Sequence, residues 1–289
     1  MDFKKIAFHA FASVNLVLVL IFQLYPVASS ETWDFQIFFG AAHNVLTGMP
    51  VYGYYGSSHL PYFLFPWGAW FFIPFALLPL EIARVIFTLF GIAVVLLAFN
   101  LLANYFGEKG FFRKVLLFSM ALWLGWLNIY VGQITYYLLG AAILVMFLIQ
   151  KGHDLVAGLF FPVFLGFDQN WIGTANLPLT IVVIFVSGFI LWKVRSLPVI
   201  PLLSLTLTAS LVCAPRAYAY DLPLLIPAIL WLSGTVSWKI ILFWSSVVLI
   251  LLLSHYSVGS YLLVLIVFGR GVYKAYKLVK NPPSLGCQP

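Results

Sequence analysis

Glu31 and Asp34 stand within "SSETWDFQIFFGAAHNVLTG" (29–48), between two long apolar runs, in a chain that has only 8 Asp and Glu among 289 residues. A carboxylate at a boundary between membrane and water is only partly desolvated. It can stay ionised and accept a proton from a hydroxyl group as a general base. The plainer reading is that both acids favour the positive end of a helix dipole, with Ser29–Thr32 as the capping stretch. Arg216 precedes Asp221 in "CAPRAYAYD". Its planar fork of donors suits a phosphate clamp, or it balances Asp221 as a structural ion pair. Asn128 and Gln133 bracket "NIYVGQ", and Asp168 and Gln169 fill a second polar break, "DQNWIG". Amides at such positions either support a site or bond a neighbouring helix. His59 is a weaker candidate. No His/Asp/Glu cluster has metal-ligand spacing, so a divalent metal has no support from the sequence and no cofactor is indicated. Cys213 and Cys287 form neither a disulfide framework nor a zinc pattern. There is no phosphate-binding glycine loop, dinucleotide fingerprint, nucleophile elbow or nucleic-acid motif.

The elements that must position these residues are apolar. The chain is 63% hydrophobic, 18% aromatic and 8% charged, with a mean hydropathy of +1.06, whereas a soluble domain carries roughly 25% charged residues. Apolar runs cover about 6–28, 62–80, 82–106, 115–130, 133–150, 154–168, 178–193, 197–213, 221–233, 238–254 and 259–273, most of them near the length a ~30 Å hydrocarbon layer requires. The expected fold is an all-α polytopic membrane protein. The first run is too long for a signal-peptide core and reads as a membrane helix.

Lys4 and Lys5 put the N-terminus in the cytoplasm by the positive-inside rule, and joint 29–61 then faces outward with no Lys or Arg. If every run crossed, Lys109, Arg113 and Lys114 would lie outside. The run 62–80 carries Pro66, Pro74 and Pro79, which break helix interiors. It therefore reads as a re-entrant or juxtamembrane segment on the outer face, beside an interfacial helix at 34–47. With that arrangement all of the 15 Lys and Arg except Arg84 and Arg216 face the cytoplasm. About ten spans result, both termini are cytoplasmic, and the acids and amides gather on the non-cytoplasmic face. Residues 1–275 then form a single integral-membrane domain in the cell membrane, and 276–289 a short cytoplasmic tail.

Several stretches, in order, carry a family resemblance: the outward carboxylate after the first span, "TGMPVYGYY", "LPYFLFPWGAWFFIPFALLPLEIAR", "NIYVGQITYYLLGAAIL" and "RAYAYDLPLLIPAILW". Together they resemble the polyprenol-phosphate-mannose-dependent mannosyltransferases of glycosyltransferase family 87, GT-C-fold membrane enzymes long grouped as a domain of unknown function. The similarity runs from about residue 10 to residue 235. It implies inverting transfer of a sugar, usually mannose, from a polyprenyl-phosphate donor to a lipid-linked or glycan acceptor at the outer face. By position, Asp34 matches the family's catalytic aspartate, Gln133 the glutamine of its GQ motif, and Asp221 the aspartate of its "YDLPLL" stretch. The family commonly has a lysine near the break where this chain has "GFDQNWIG".

The rival readings are a carrier or flippase for lipids or lipid-linked sugars, and a non-catalytic membrane subunit related to these enzymes. The chain shows no duplicated half with matching broken helices, as many carriers have. The missing lysine keeps the subunit reading open.

Overall fold

The computed structural model describes residues 3–29, 32–56, 59–62, 66–107, 109–153, 197–213, 224–233 and 257–280, with isolated positions at 185–186, 189–190, 193 and 222. In chain order these form α1 (Phe3–Ser29), α2 (Trp33–Thr47), β1 (Tyr54–Tyr55), β2 (Leu60–Pro61), α3 (Pro66–Phe71), α4 (Ile73–Ala76), α5 (Leu80–Tyr105) and α6 (Phe111–Leu124). They continue with α7 (Trp126–Val131), α8 (Thr135–Gln150), α9 (Val199–Cys213), α10 (Ile226–Ser233) and α11 (Ser257–Lys280). The described chain is thus mostly helical.

Helix α1 packs along α6, α5 along α8, and α9 against both α10 and α11. Leu102, Leu122, Leu139, Ile143, Leu225 and Val264 lie in the shared apolar core. A polar seam joins α1 to α6: Asn15 donates to Ser119 Oγ at 2.6 Å and accepts from Trp123 Nε1 at 2.9 Å. A half-buried amide bonded on both ends avoids the cost of an unmet polar group and fixes the register of the two helices.

Helix α5 has 26 residues, or ~39 Å at ~1.5 Å per residue. Among the described residues it is the one helix both long and apolar enough to cross a membrane. Ala83, Phe87, Val95, Ala98 and Leu102 face the protein, while Ile82, Ile86, Leu89, Phe90 and Leu97 are exposed on its other side. Apolar stretches of α1 (Ile6–Ile21), α8 and α9 (Val199–Ala209) are shorter.

The prolines of 62–80 act as expected. The segment forms two short helices, α3 and α4, with Pro74 in the first turn of α4. At six and four residues neither approaches the ~20 residues that crossing a hydrocarbon layer takes. Both pack on α2. The run 115–130 departs from expectation by dividing at Gly125, where a side chain would collide with the Tyr136 ring of α8. Helix α11 runs on to Lys280, into the stretch read from the sequence as a tail, because Ala275 is fully buried beyond its apolar part.

Helix α2 ends as its sequence dictates. Gly48 adopts φ 70°, Gly48 N–H donates to the Val45 carbonyl, and Met49 N–H donates to that of Asn44 at 2.8 Å. That pair of bonds closes a helix with a left-handed glycine. The ribbon that follows pairs Tyr54 with Pro61 and Tyr55 with Leu60. Asn44 ties it back to α2 by donating to the Tyr55 hydroxyl at 2.9 Å, and that hydroxyl donates to the Val51 carbonyl.

Candidate functional site

The N-terminus of α2 docks on the break between α7 and α8, and the break is shaped to receive it. Gly132 is left-handed, with φ 76°. Its N–H and that of Gln133 both donate to the Asn128 carbonyl, at 3.0 and 2.8 Å. A Cβ on Gly132 would lie 2.6 Å from Phe35 Cβ and 3.1 Å from the Phe35 backbone nitrogen. Only glycine allows both this turn and this approach. Asn128 is 2% exposed and holds the break from behind. With its amide turned to satisfy both ends, it donates to the Gln133 carbonyl at 3.1 Å. It then accepts from Thr135 N–H at 3.2 Å and from Thr135 Oγ1 at 3.1 Å.

This arrangement presents Gln133 to Asp34. Gln133 Nε2 donates to Asp34 Oδ2 at 2.5 Å. Among the described residues the other carboxyl oxygen has no hydrogen bond. Burial pushes the Asp34 carboxyl up to about 6, and the Gln133 bond opposes that rise. A carboxyl poised there is ionised at neutral pH yet basic enough to take a proton in a transition state. The apolar floor comes from aromatic rings. Phe35 lies tilted against Phe87, with ring centroids 4.9 Å apart, while Phe38 stacks on Phe72 at 4.8 Å and Phe87 on Tyr137 at 4.8 Å.

Thr32 corrects the capping expectation. It occupies the N-cap position of α2, but its side chain makes no capping bond. It is fully buried, and Oγ1 has no hydrogen-bond partner among the described residues. It was read only as part of a capping stretch.

Of the residues singled out from the sequence, the structure brings together Asp34, Gln133 and Asn128. His59 sits in the ribbon turn with φ 49° and is exposed. No hydrogen bond or ring contact joins it to Asp34 among the described residues. Glu31, Asp168, Gln169, Arg216 and Asp221 lie outside the described residues. Among the described residues no three His, Cys, Asp or Glu are grouped to hold a metal ion.

Gly132 and the aromatic floor were missed by the sequence reading. The glycine before Gln133 was a visible signal, but its closeness to Phe35 is a tertiary fact. No protein-family model, curated protein or solved structure matches this chain.

Proposed function

We propose that this chain is an integral-membrane glycosyltransferase of the GT-C type. It moves a sugar, mannose first among candidates, from a polyprenyl-phosphate donor to a lipid-linked or glycan acceptor on the non-cytoplasmic face. The observation that carries the reading is the Gln133–Asp34 hydrogen bond, which joins residues 99 positions apart. The two motif residues that the family resemblance singles out for the catalytic loop and the GQ break are the two that meet. The exposed apolar side of α5 suits a hydrocarbon environment, where it needs no covering partner. On this reading the chain has about ten spans with both termini cytoplasmic, and α2, the ribbon, α3 and α4 form a juxtamembrane layer.

The chemistry needs little beyond these residues. The acceptor hydroxyl oxygen attacks the anomeric carbon from the face opposite the phosphate. Its proton passes to Asp34 as the new C–O bond forms. The bond from the anomeric carbon to the phosphate oxygen breaks, and polyprenyl phosphate departs with that electron pair. The donor carries its own leaving group, so no nucleotide-binding loop is called for. Arg216 is the cation assigned to the departing phosphate, a role for which a fixed fork of donors is suited. Gln133 holds the base in register, and Asn128 holds Gln133.

The test is transfer of radiolabelled sugar from a polyprenyl-phosphate donor to membrane lipid, comparing wild type with Asp34→Asn at matched expression. Loss of transfer with donor binding retained supports the reading. Transfer within a few-fold of wild type would reduce Asp34 to a helix-end charge and remove the enzyme reading.

A further inference from the structure

Helix α11 has an exposed face that changes character part-way along. Its roll is fixed by packing. Val264, Val267 and Ala275 are buried, and a side chain on Gly271 would press on Leu205 of α9 at 2.8 Å. Lys274 Nζ donates to the Trp231 carbonyl at 2.5 Å, meeting an orphan carbonyl in the last turn of α10. The opposite face is therefore held outward. It is apolar at Leu265 and Ile266, which are 41% and 54% exposed. From Arg270 onward it becomes Arg270, Tyr273, Tyr276, Lys277 and Lys280, all exposed, with the Lys277 ammonium 4.8 Å above the Tyr273 ring.

Among the described residues no carboxylate is paired with this end. Helices α9, α10 and α11 contain no Asp or Glu, and neither does any residue after Asp221. Lys274 is engaged with a carbonyl, which leaves Arg270, Lys277 and Lys280 as cations without a carboxylate on their own helix or, among the described residues, on α9 and α10, against which it packs. Tyrosines are amphipathic, and settle where hydrocarbon meets headgroups. Lysine and arginine just beyond such a belt attract anionic headgroups.

The geometry points to the C-terminal three turns of α11 as a binding face for anionic phospholipid headgroups, with Tyr273 and Tyr276 seated at the hydrocarbon boundary and Arg270, Lys277 and Lys280 on the phosphates. This rests on the membrane reading of the chain but is independent of its chemistry. The occupant is a bilayer lipid rather than an acidic protein, because the same face continues without interruption into exposed leucine and isoleucine.

The experiment uses the full chain reconstituted in phosphatidylcholine vesicles with a trace of spin-labelled phosphatidylglycerol or spin-labelled phosphatidylcholine. The readout is the motionally restricted fraction of each label. Wild type should prefer phosphatidylglycerol, and the preference should shrink at high salt. A surface cation is worth roughly fivefold in attraction to anionic lipid, so Arg270→Gln/Lys277→Gln/Lys280→Gln should bring the preference close to unity. Arg270→Lys should retain it, which separates charge from folding, and Lys151→Gln, at the end of another helix, should leave it intact. Equal restriction of the two labels by wild type, or a preference that survives the triple change, overturns the headgroup proposal alone. Failure of the protein to float with vesicles in a density gradient overturns this proposal together with the membrane reading.

Discussion

The chain handles charge in opposite ways at the start of α2 and at the end of α11. At α2 a single carboxylate is drawn out of water and held by one amide. At α11 three cations stand outward, with no carboxylate on their own helix or on α9 and α10. A desolvated charge needs a fixed hydrogen-bond donor, and that requirement couples Asp34 to Gln133, Gln133 to Asn128, and all of them to Gly132. An exposed charge makes no such demand, so α11 carries its cations on a face that packing elsewhere has positioned. The dependent charge is the one suited to chemistry, since its basicity is set by its surroundings. The independent ones suit recognition of a surface.

The comparison breaks most readily at Asp34. Asp34→Asn keeps size and removes proton acceptance, and general-base help is typically worth ~10²–10⁴-fold in rate. Stability should move the other way. The folded carboxyl is raised from 3.8 to about 6, so the folded state binds protons more tightly than the unfolded one. Wild-type stability therefore falls as pH rises from about 4 to about 6 and is flat above that. Asp34→Asn should abolish that slope, as measured by thermal unfolding in detergent across pH.

Gly132→Ala attacks the docking rather than the charge. The new methyl group meets the backbone nitrogen and Cβ of Phe35 and must also adopt a left-handed conformation. The combined penalty should be roughly 2–5 kcal/mol. Unfolding should occur at a lower temperature and sugar transfer should fall with it. An unchanged unfolding temperature would mean that α2 is not seated on the break.

Gln133→Leu sharpens the comparison by leaving the carboxylate in place without its donor. The lost bond had held the carboxyl down, so its pKa should climb above about 6 and the acid limb of the pH–rate profile should move upward. A hydrogen bond to a charge is worth ~1.5–3 kcal/mol, or roughly 1–2 pH units. Transfer should drop roughly 2–10-fold at pH 7 and recover by about pH 9. A uniform loss at every pH would assign Gln133 to substrate contact instead.

Tyr55→Phe should have the smallest effect. It removes the hydroxyl that links Asn44 to Val51, away from the carboxylate. A stability loss of about 1 kcal/mol with unchanged transfer is expected, and chemical denaturation with a parallel activity assay would check it.

Local features were legible before any coordinates. Helix α2 was read as 34–47 and spans Trp33–Thr47, because Gly48 and Pro50 leave little choice about where it stops. The prolines of 62–80 announced a segment that could not be one long helix. What was hidden depends on distant partners. At the Gly125 split Tyr136 occupies the space a side chain would fill, and the glycine itself is the sole local sign of it in the run 115–130. The buried Thr32 hydroxyl looked like an ordinary cap, and the short ribbon at Tyr54–Tyr55 and Leu60–Pro61 lacks the alternation by which strands are recognised. Asp34 and Gln133 were separately visible as polar residues in apolar surroundings. The resemblance marked each of them for a motif, but their contact is a tertiary fact.

The 99-residue separation between Asp34 and Gln133 also sets an order of events at the ribosome. Chains lengthen at roughly 5–20 residues per second, so α2 is made about 5–20 s before the glutamine that will hold its carboxylate. Through that interval Asp34 has no Gln133 to offset desolvation, and water is its available donor. The α2 helix can form at once, but its N-terminus can settle against the aromatic floor only after Gly132 and Gln133 have been synthesised. The hydrogen bond at the centre of the site is thus among the later contacts of the N-terminal half to close.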